Sequence, residues 1–149
     1  TKYHNYIENK LVRKTFTESI PEIDGYLNNV CDIPLLLEFV VGNEIIAGTL
    51  DNLSLRDNSL IIKDWKSNRK FEYESKYKLI NGLEHLPNTE YYKYALQLSL
   101  YQVLLGLDIK TREIVWFNNN THQVIDIPFL EAEANYIIDY VNKQNYSRT

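Results

Sequence analysis

The chain has 149 residues, of which 44% are hydrophobic and 24% are charged, and its formal net charge is −4. This length suits one domain with a buried core and is too short for two domains of ordinary size. No apolar run is long enough to cross a bilayer and no signal peptide is recognisable, so we expect an intracellular protein of the bacterial or phage cytoplasm or of an organelle. The single cysteine, Cys31, excludes an internal disulfide and an iron–sulfur cluster held by four cysteines.

The first third of the chain predicts two helices followed by three strands. Periodic apolar residues predict a helix over Lys2–Phe16, and Ser19–Glu22 has the spacing of a capping box with an early proline, which predicts a second, short helix. Apolar stretches then predict strands over Leu35–Val41, Glu44–Leu55 and Ser59–Lys66. The polar residues Arg56–Ser59 are of the kind that joins antiparallel strands.

The remainder predicts a long connection and a second group of helices and strands. Residues 67–90 are polar and contain Gly82 and Pro87, and loops of this length tend to be functional or mobile. The following elements are a helix over Glu90–Leu105 ended by Gly106, strands over Glu113–Asn118 and Gln123–Ile127, and a helix over Pro128–Asn145. The sequence therefore predicts an α/β fold with a mixed central sheet flanked by helices.

Two carboxylates and a lysine lie on the second and third of these strands. Asp51 and Asp64 each lie at or near a strand end, and two carboxylates brought together in a dry cleft are costly unless a cation neutralises them. Asp64 and Lys66 lie two residues apart, so their side chains share one face of the strand. A metal-binding acid beside a positive group is suited to the cleavage of a phosphodiester.

Three short motifs follow one another in a fixed order. They are Gly48–Asp51 as G-x-x-D, Asp64–Lys66 as D-x-K and Gln97–Tyr101 as Q-x-x-x-Y. In order and spacing the chain resembles the PD-(D/E)XK nuclease superfamily, and above all its RecB-type, exonuclease-like branch. The resemblance implies one nuclease domain over residues 1–149 with a restriction-endonuclease-like core. It also implies that these residues are the C-terminal part or a fragment of a longer chain.

The resemblance assigns roles to individual residues. It implies catalytic roles for Asp51, Asp64, Lys66, Gln97 and Tyr101, and a metal site formed by His4, Asp51, Asp64, the main-chain carbonyl of Trp65 and the strand residue Glu38. Without the resemblance, His4 reads as a solvated histidine near a terminus, and Gln97 with Tyr101 as ordinary residues of a helix surface.

The resemblance also implies an activity and its requirements. We expect a metal-dependent deoxyribonuclease that uses Mg²⁺ or Mn²⁺, has no iron–sulfur cluster and acts as an exonuclease on DNA ends or single strands in repair, recombination or replication. A helicase or another repair or replication subunit is a possible partner, and a membrane is not. The alternative is a catalytically inactive domain of the same fold that binds nucleic acid or acts as a scaffold. A nucleotide-binding enzyme of the doubly wound type is disfavoured because its glycine-rich motifs are absent.

A basic stretch with interspersed aromatic residues follows the D-x-K motif. The candidates for nucleic-acid binding there are Arg69, Lys70, Tyr73, Lys76 and Lys78, because phosphates require cations and unpaired bases stack on aromatic rings. The alternative is a solvated loop of mixed charge, and the net charge of the whole chain is acidic.

Overall fold

The computed structural model of the chain describes residues 2–11 and 20–147, and four helices and five strands lie within these ranges. In chain order they are α1 (Lys2–Leu11), α2 (Pro21–Leu27), β1 (Ile33–Gly42), β2 (Ala47–Arg56), β3 (Ser59–Lys66), α3 (Glu90–Leu105), β4 (Ile109–Asn118), β5 (Thr121–Ile127) and α4 (Glu131–Tyr146). None of the helices in the described ranges is long and apolar enough to cross a membrane.

The strands form one sheet in the order β1-β2-β3-β4-β5. β2 and β3 are antiparallel, and the turn between them contains Asp57 and Asn58, both with positive φ, as a tight two-residue hairpin requires. β3 and β4 are parallel, and α3 lies between them in the sequence. The prediction of an α/β fold with a sheet of mixed direction is confirmed.

Backbone contacts divide the chain into two compact units. The first unit comprises Thr1–Phe39, Thr49–Arg69 and Ile109–Asp126, and the second comprises Val40–Gly48, Lys70–Asp108 and Ile127–Thr149. The first unit therefore contains α1, α2 and most of the sheet, whereas the second contains α3, α4 and the long connection that precedes α3.

The core of the first unit joins α1 and α2 to β3 and β4. Its buried residues are Tyr6, Ile7, Ile20, Ile23, Tyr26, Trp65, Val115 and Phe117. Tyr26 meets Trp65 and Phe117 edge to face, with ring centroids 5.9 and 6.0 Å apart. Aromatic rings bury large areas and prefer such geometries, so this cluster fixes the orientation of α1 and α2 on the sheet.

Helix α1 begins where the sequence predicts, and α2 begins at the predicted early proline. α1 is described as far as Leu11, and residues 12–16 of the predicted helix lie outside the described residues, as does Ser19 of the predicted capping box. The residue that precedes α2 is Ile20, whose side chain makes no capping hydrogen bond. Pro21 begins the helix instead, because its fixed φ suits the first helical position.

The start of β2 was predicted wrongly. Residues 43–46 form the connection between β1 and β2, and the strand begins at Ala47 rather than at Glu44. The cause is Asn43, whose side-chain oxygen accepts hydrogen bonds from the backbone N–H groups of Ile45 and Ile46 at 2.8 and 2.9 Å. Asparagine commonly forms such local turns, and here the turn overrides the strand preference of the two isoleucines.

In the second unit, α3 has the boundaries that the sequence predicts. Thr89 caps its first turn by accepting from the Tyr92 N–H at 3.3 Å, and Gly106 ends it in the left-handed conformation with φ 66°. Ser99 on α3 accepts a hydrogen bond from the Leu130 N–H just before α4. The connection that precedes α3 contains one isolated bridge and no strand or helix, as predicted.

Candidate metal and catalytic site

The candidate site forms where strand β3 separates from β2. The antiparallel ladder of these strands ends at the pair Asn52 and Lys63, whereas β3 remains paired with β4 as far as Lys66. The next β3 backbone N–H that points toward β2 belongs to Trp65, and it donates to Asp51 Oδ2 at 2.7 Å. The N–H and C=O groups of one strand residue point to the same neighbouring strand, so the Trp65 carbonyl also faces the gap beside Asp51.

Asp51 and Asp64 are brought together in this gap. The two residues are only 5% and 2% exposed, and the carboxyl group of each shifts the pKa of the other. Burial and then the charge of Asp51 raise the pKa of Asp64 to about 7. Burial opposes ionisation of Asp51 as well, but hydrogen bonds from His4, Asp64 and the Trp65 N–H lower its pKa. The pair therefore shares one proton below pH 7 and releases it as the pH rises through 7.

Lys66 lies beside Asp64, as the two-residue spacing predicts. Its Nζ is 2.6 Å from Asp64 Oδ2, in an ion pair whose angles do not meet those of a hydrogen bond. The lysine side chain is partly exposed, whereas the Asp64 side chain is buried. The ammonium group thus connects a buried acid with the solvent-accessible side of the gap.

His4 reaches the same acids from helix α1. Its Nε2 is 3.0 Å from Asp51 Oδ2, and this hydrogen bond is the main reason why the pKa of His4 is raised. His4 shares a helix face with the fully buried Ile7, three residues further on, so the packing of α1 directs the imidazole toward the sheet.

Glu38 extends the acid cluster from strand β1, with an unusual backbone. Its φ of +47° lies in the left-handed region, where a residue with a Cβ costs about 1–3 kcal/mol. Its Oε1 is buried and accepts no hydrogen bond from the described residues. Burial and then the charge of Asp51 raise the pKa of Glu38. A strained residue with an unsatisfied buried oxygen requires a partner, and a cation would satisfy it.

The residues present fit a divalent cation. Three potential ligand atoms lie within 4.8 Å of one another, one each from His4, Glu38 and Asp51. Asp64 lies next to Asp51. Several carboxylate oxygens with one imidazole nitrogen form a donor set that suits Mn²⁺ and accommodates Mg²⁺.

Gln97 and Tyr101 lie in the second unit, on α3. Gln97 Nε2 donates to Tyr101 Oη at 3.0 Å, so their predicted common face is confirmed. Gly48 lies against the same tyrosine: a Cβ at residue 48 would lie 2.5 Å from Tyr101 Oη and 2.7 Å from Tyr101 Cε1. The glycine of G-x-x-D is therefore required by the tyrosine of Q-x-x-x-Y, a contact that the sequence analysis missed although both residues belonged to its motifs.

The predicted nucleic-acid-binding residues are all exposed. They are Arg69, Lys70, Tyr73, Lys76 and Lys78. Lys63, which belongs to the same basic run, is buried instead: its Nζ contacts Asp32 and donates to Tyr26 Oη at 3.0 Å. Strand periodicity explains the difference, because Lys63 and Asp64 are neighbours in β3 and point to opposite faces.

A second ionic cluster in the first unit was missed by the sequence analysis. Arg56 lies 2.7 Å from Asp32 and 2.6 Å from Glu113, and Lys63 completes the group. The cluster borders an open pocket of about 460 Å³. Each charge in it has an opposite partner, so it ties the start of β1 to β2, β3 and β4. The one sequence signal for this cluster is that Lys63 and Asp64 are neighbours in a strand, so Lys63 points to the face opposite Asp64.

No protein-family model matches the sequence, and no curated protein matches it. Among solved structures, the chain is similar to the crystal structure of SSO0001, with 16% sequence identity and a TM-score of 0.44. The similarity covers 82% of this chain and 55% of that one, so the chain spans about half the length of SSO0001.

Proposed function

We propose that the protein is a metal-dependent DNA nuclease that hydrolyses phosphodiester bonds and acts as an exonuclease on DNA ends or single strands. The observation that carries the proposal is the pair of buried carboxyl groups, Asp51 and Asp64, in which burial and the charge of Asp51 raise the pKa of Asp64 to about 7, so that a bound cation would favour the fully ionised pair. A structural pair would be more stable with one carboxylate replaced by an amide, so the second acid has a chemical rather than a packing reason to be there.

The cation would be held by His4, Glu38 and Asp51, with Asp64 and the Trp65 carbonyl beside them. When bound, Mg²⁺ or Mn²⁺ polarises the scissile phosphate and lowers the pKa of a bound water. Binding requires that Asp64 release its proton, because a carboxylate binds a cation only in its charged form. The bound cation would then give the buried Oε1 of Glu38 the partner that it lacks among the described residues.

The chain's own residues would supply the remaining parts of the reaction. Lys66 would stabilise the negative charge that develops on the phosphate, since its ammonium group is already held beside the acids. The hydrogen-bonded pair Gln97 and Tyr101 would orient the substrate, as in the nucleases that the chain resembles. The products would carry a 5′-phosphate.

The test is cleavage of end-labelled linear single-stranded DNA and of a covalently closed circle, each with Mn²⁺, with Mg²⁺ and with EDTA. We expect metal-dependent loss of the linear strand while the circle is spared, and the end released first gives the polarity. Nicking of the circle would show an endonuclease instead. Asp64→Asn and Lys66→Ala should each abolish cleavage.

The matched controls are Asp126→Asn and Lys110→Ala, which remove one exposed acid and one exposed lysine from the neighbouring strands β5 and β4. Both should cleave like the wild type. Near wild-type cleavage by Lys66→Ala or Asp64→Asn would contradict the assigned roles. Absence of cleavage by the wild type, together with no change of its melting temperature in Mn²⁺, would favour the inactive nucleic-acid-binding domain.

A further inference from the structure

The second unit carries a continuous row of five aromatic rings. Tyr94, Phe71, Tyr73, Tyr91 and Tyr92 follow one another with centroid distances of 5.7, 5.4, 5.2 and 5.0 Å. Phe71 is buried and anchors the row, whereas Tyr73 is 43% exposed. Tyr77, four residues after Tyr73 in the sequence, is 64% exposed, and Lys76 Nζ lies 5.1 Å from its ring centroid. The row thus offers aromatic surface to solvent from a rigid base.

Backbone hydrogen bonds order the chain segments that carry the exposed rings. The Tyr91 N–H donates to the carbonyl of Glu72 at 3.3 Å, which ties the segment before Tyr73 to the start of α3. Tyr77 is fixed by its carbonyl, which accepts from the Asn88 N–H at 2.9 Å. Rings that are already ordered lose little conformational entropy when a flat ligand stacks on them.

The charge around these rings has the sign that a polyanion requires. Residues 69–78 contain four basic side chains against two acidic ones, in a chain whose net charge is −4. Lys70, Lys76 and Lys78 are exposed. Exposed aromatic faces beside lysines are the combination that binds single-stranded nucleic acid, because unpaired bases stack and phosphates pair with the cations. In duplex DNA the base faces are covered by their neighbours and cannot reach the rings.

We propose that Tyr73 and Tyr77 form a stacking site for the unpaired bases of single-stranded DNA, with Lys70, Lys76 and Lys78 along its phosphates. The proposal deepens the proposed nuclease function, on which it rests for the identity of the polymer. Phe71 and Tyr91 are positioning residues, because they hold Tyr73 and would not contact the bases.

The test is the affinity of the protein for a fluorescein-labelled 30-nucleotide oligothymidine, measured by fluorescence anisotropy in EDTA so that no strand is cleaved. We expect Tyr73→Leu to weaken binding about tenfold, since stacking on one ring contributes about that factor. Tyr73→Phe keeps the ring and should bind like the wild type. Tyr146→Leu, which removes a 77% exposed tyrosine at the end of α4, is the matched control and should have no effect.

One further arm, an abasic strand, separates stacking from simple charge attraction. A 30-residue abasic strand keeps the phosphates but has no bases, and it should bind wild type and Tyr73→Leu equally. If Tyr73→Leu lost as much affinity for the abasic strand as for oligothymidine, the stacking site would be overturned. Binding of oligothymidine by Tyr73→Leu as tightly as by the wild type would overturn it as well. Because binding is measured without metal, a protein that binds but never cleaves would refute the nuclease and leave the stacking site standing.

Discussion

Replacement of Asp64 by asparagine tests the shared proton of the acid pair. In the metal-free protein the pKa of Asp64 is raised to about 7, from about 3.9 for an unperturbed aspartate. An acid whose pKa is raised in the folded state stabilises the fold fully at pH values below its pKa in the unfolded state. This contribution is lost as the pH rises from that pKa through 7. One pKa unit corresponds to about 1.4 kcal/mol, so between pH 5 and pH 8 the wild type should lose about 3 kcal/mol relative to Asp64→Asn.

The assay is urea unfolding in EDTA at pH 5, 6, 7 and 8, with wild type and Asp64→Asn measured in parallel. Asparagine cannot ionise and is close to aspartate in size, so titrating groups that do not interact with Asp64 affect both proteins alike. The free energy of unfolding of the wild type should fall toward high pH relative to the variant. Parallel pH profiles would refute the reasoning, because they would mean that Asp64 ionises normally in the folded protein.

Three other predictions follow from the described contacts. Below pH 7 the apparent affinity for Mn²⁺, measured by calorimetry, should rise at least tenfold per pH unit, because Asp64 must release its proton and His4, whose pKa is also raised, must be neutral to bind; a flat profile would contradict this. In thermal melts, Gly48→Ala should lower the free energy of unfolding by about 1–3 kcal/mol, because the added Cβ clashes with Tyr101. The control is Gly25→Ala, which should not lower it, because no described atom lies within 4 Å of the added Cβ. Lys63→Met should cost about 3–5 kcal/mol in urea unfolding, because it leaves the buried Asp32 without one of its two cations; a loss below 1 kcal/mol would count against this.

The sequence predicts those parts of the fold and site that depend on local periodicity. The two-residue spacing of Asp64 and Lys66 determines their ion pair, and the four-residue spacing of Gln97 and Tyr101 determines their hydrogen bond. The boundaries of β3 and α3 agree with prediction because a tight turn and a left-handed glycine mark them. In each case the decisive interaction lies within a few residues of the chain.

The parts that the sequence does not predict depend on distant contacts or on local competition. The turn at Asn43 shortens β2 because one side chain satisfies two backbone donors that a strand would have used. The left-handed conformation of Glu38 has no local signature, since glutamate rarely adopts it. The ion pairs of Arg56 join residues 24 and 57 positions apart, and no pattern along one strand reveals them.

The bond between Asp51 and the Trp65 amide means that one side chain completes the sheet as well as the site. A mutagenesis experiment at this position therefore measures two quantities together, because Asp51→Ala removes a candidate ligand and also strands a buried backbone donor. Loss of activity in that variant would not by itself identify a catalytic acid. The amide proton of Trp65 offers a direct observation instead: its NMR chemical shift should respond whenever the charge on Asp51 is engaged by a cation.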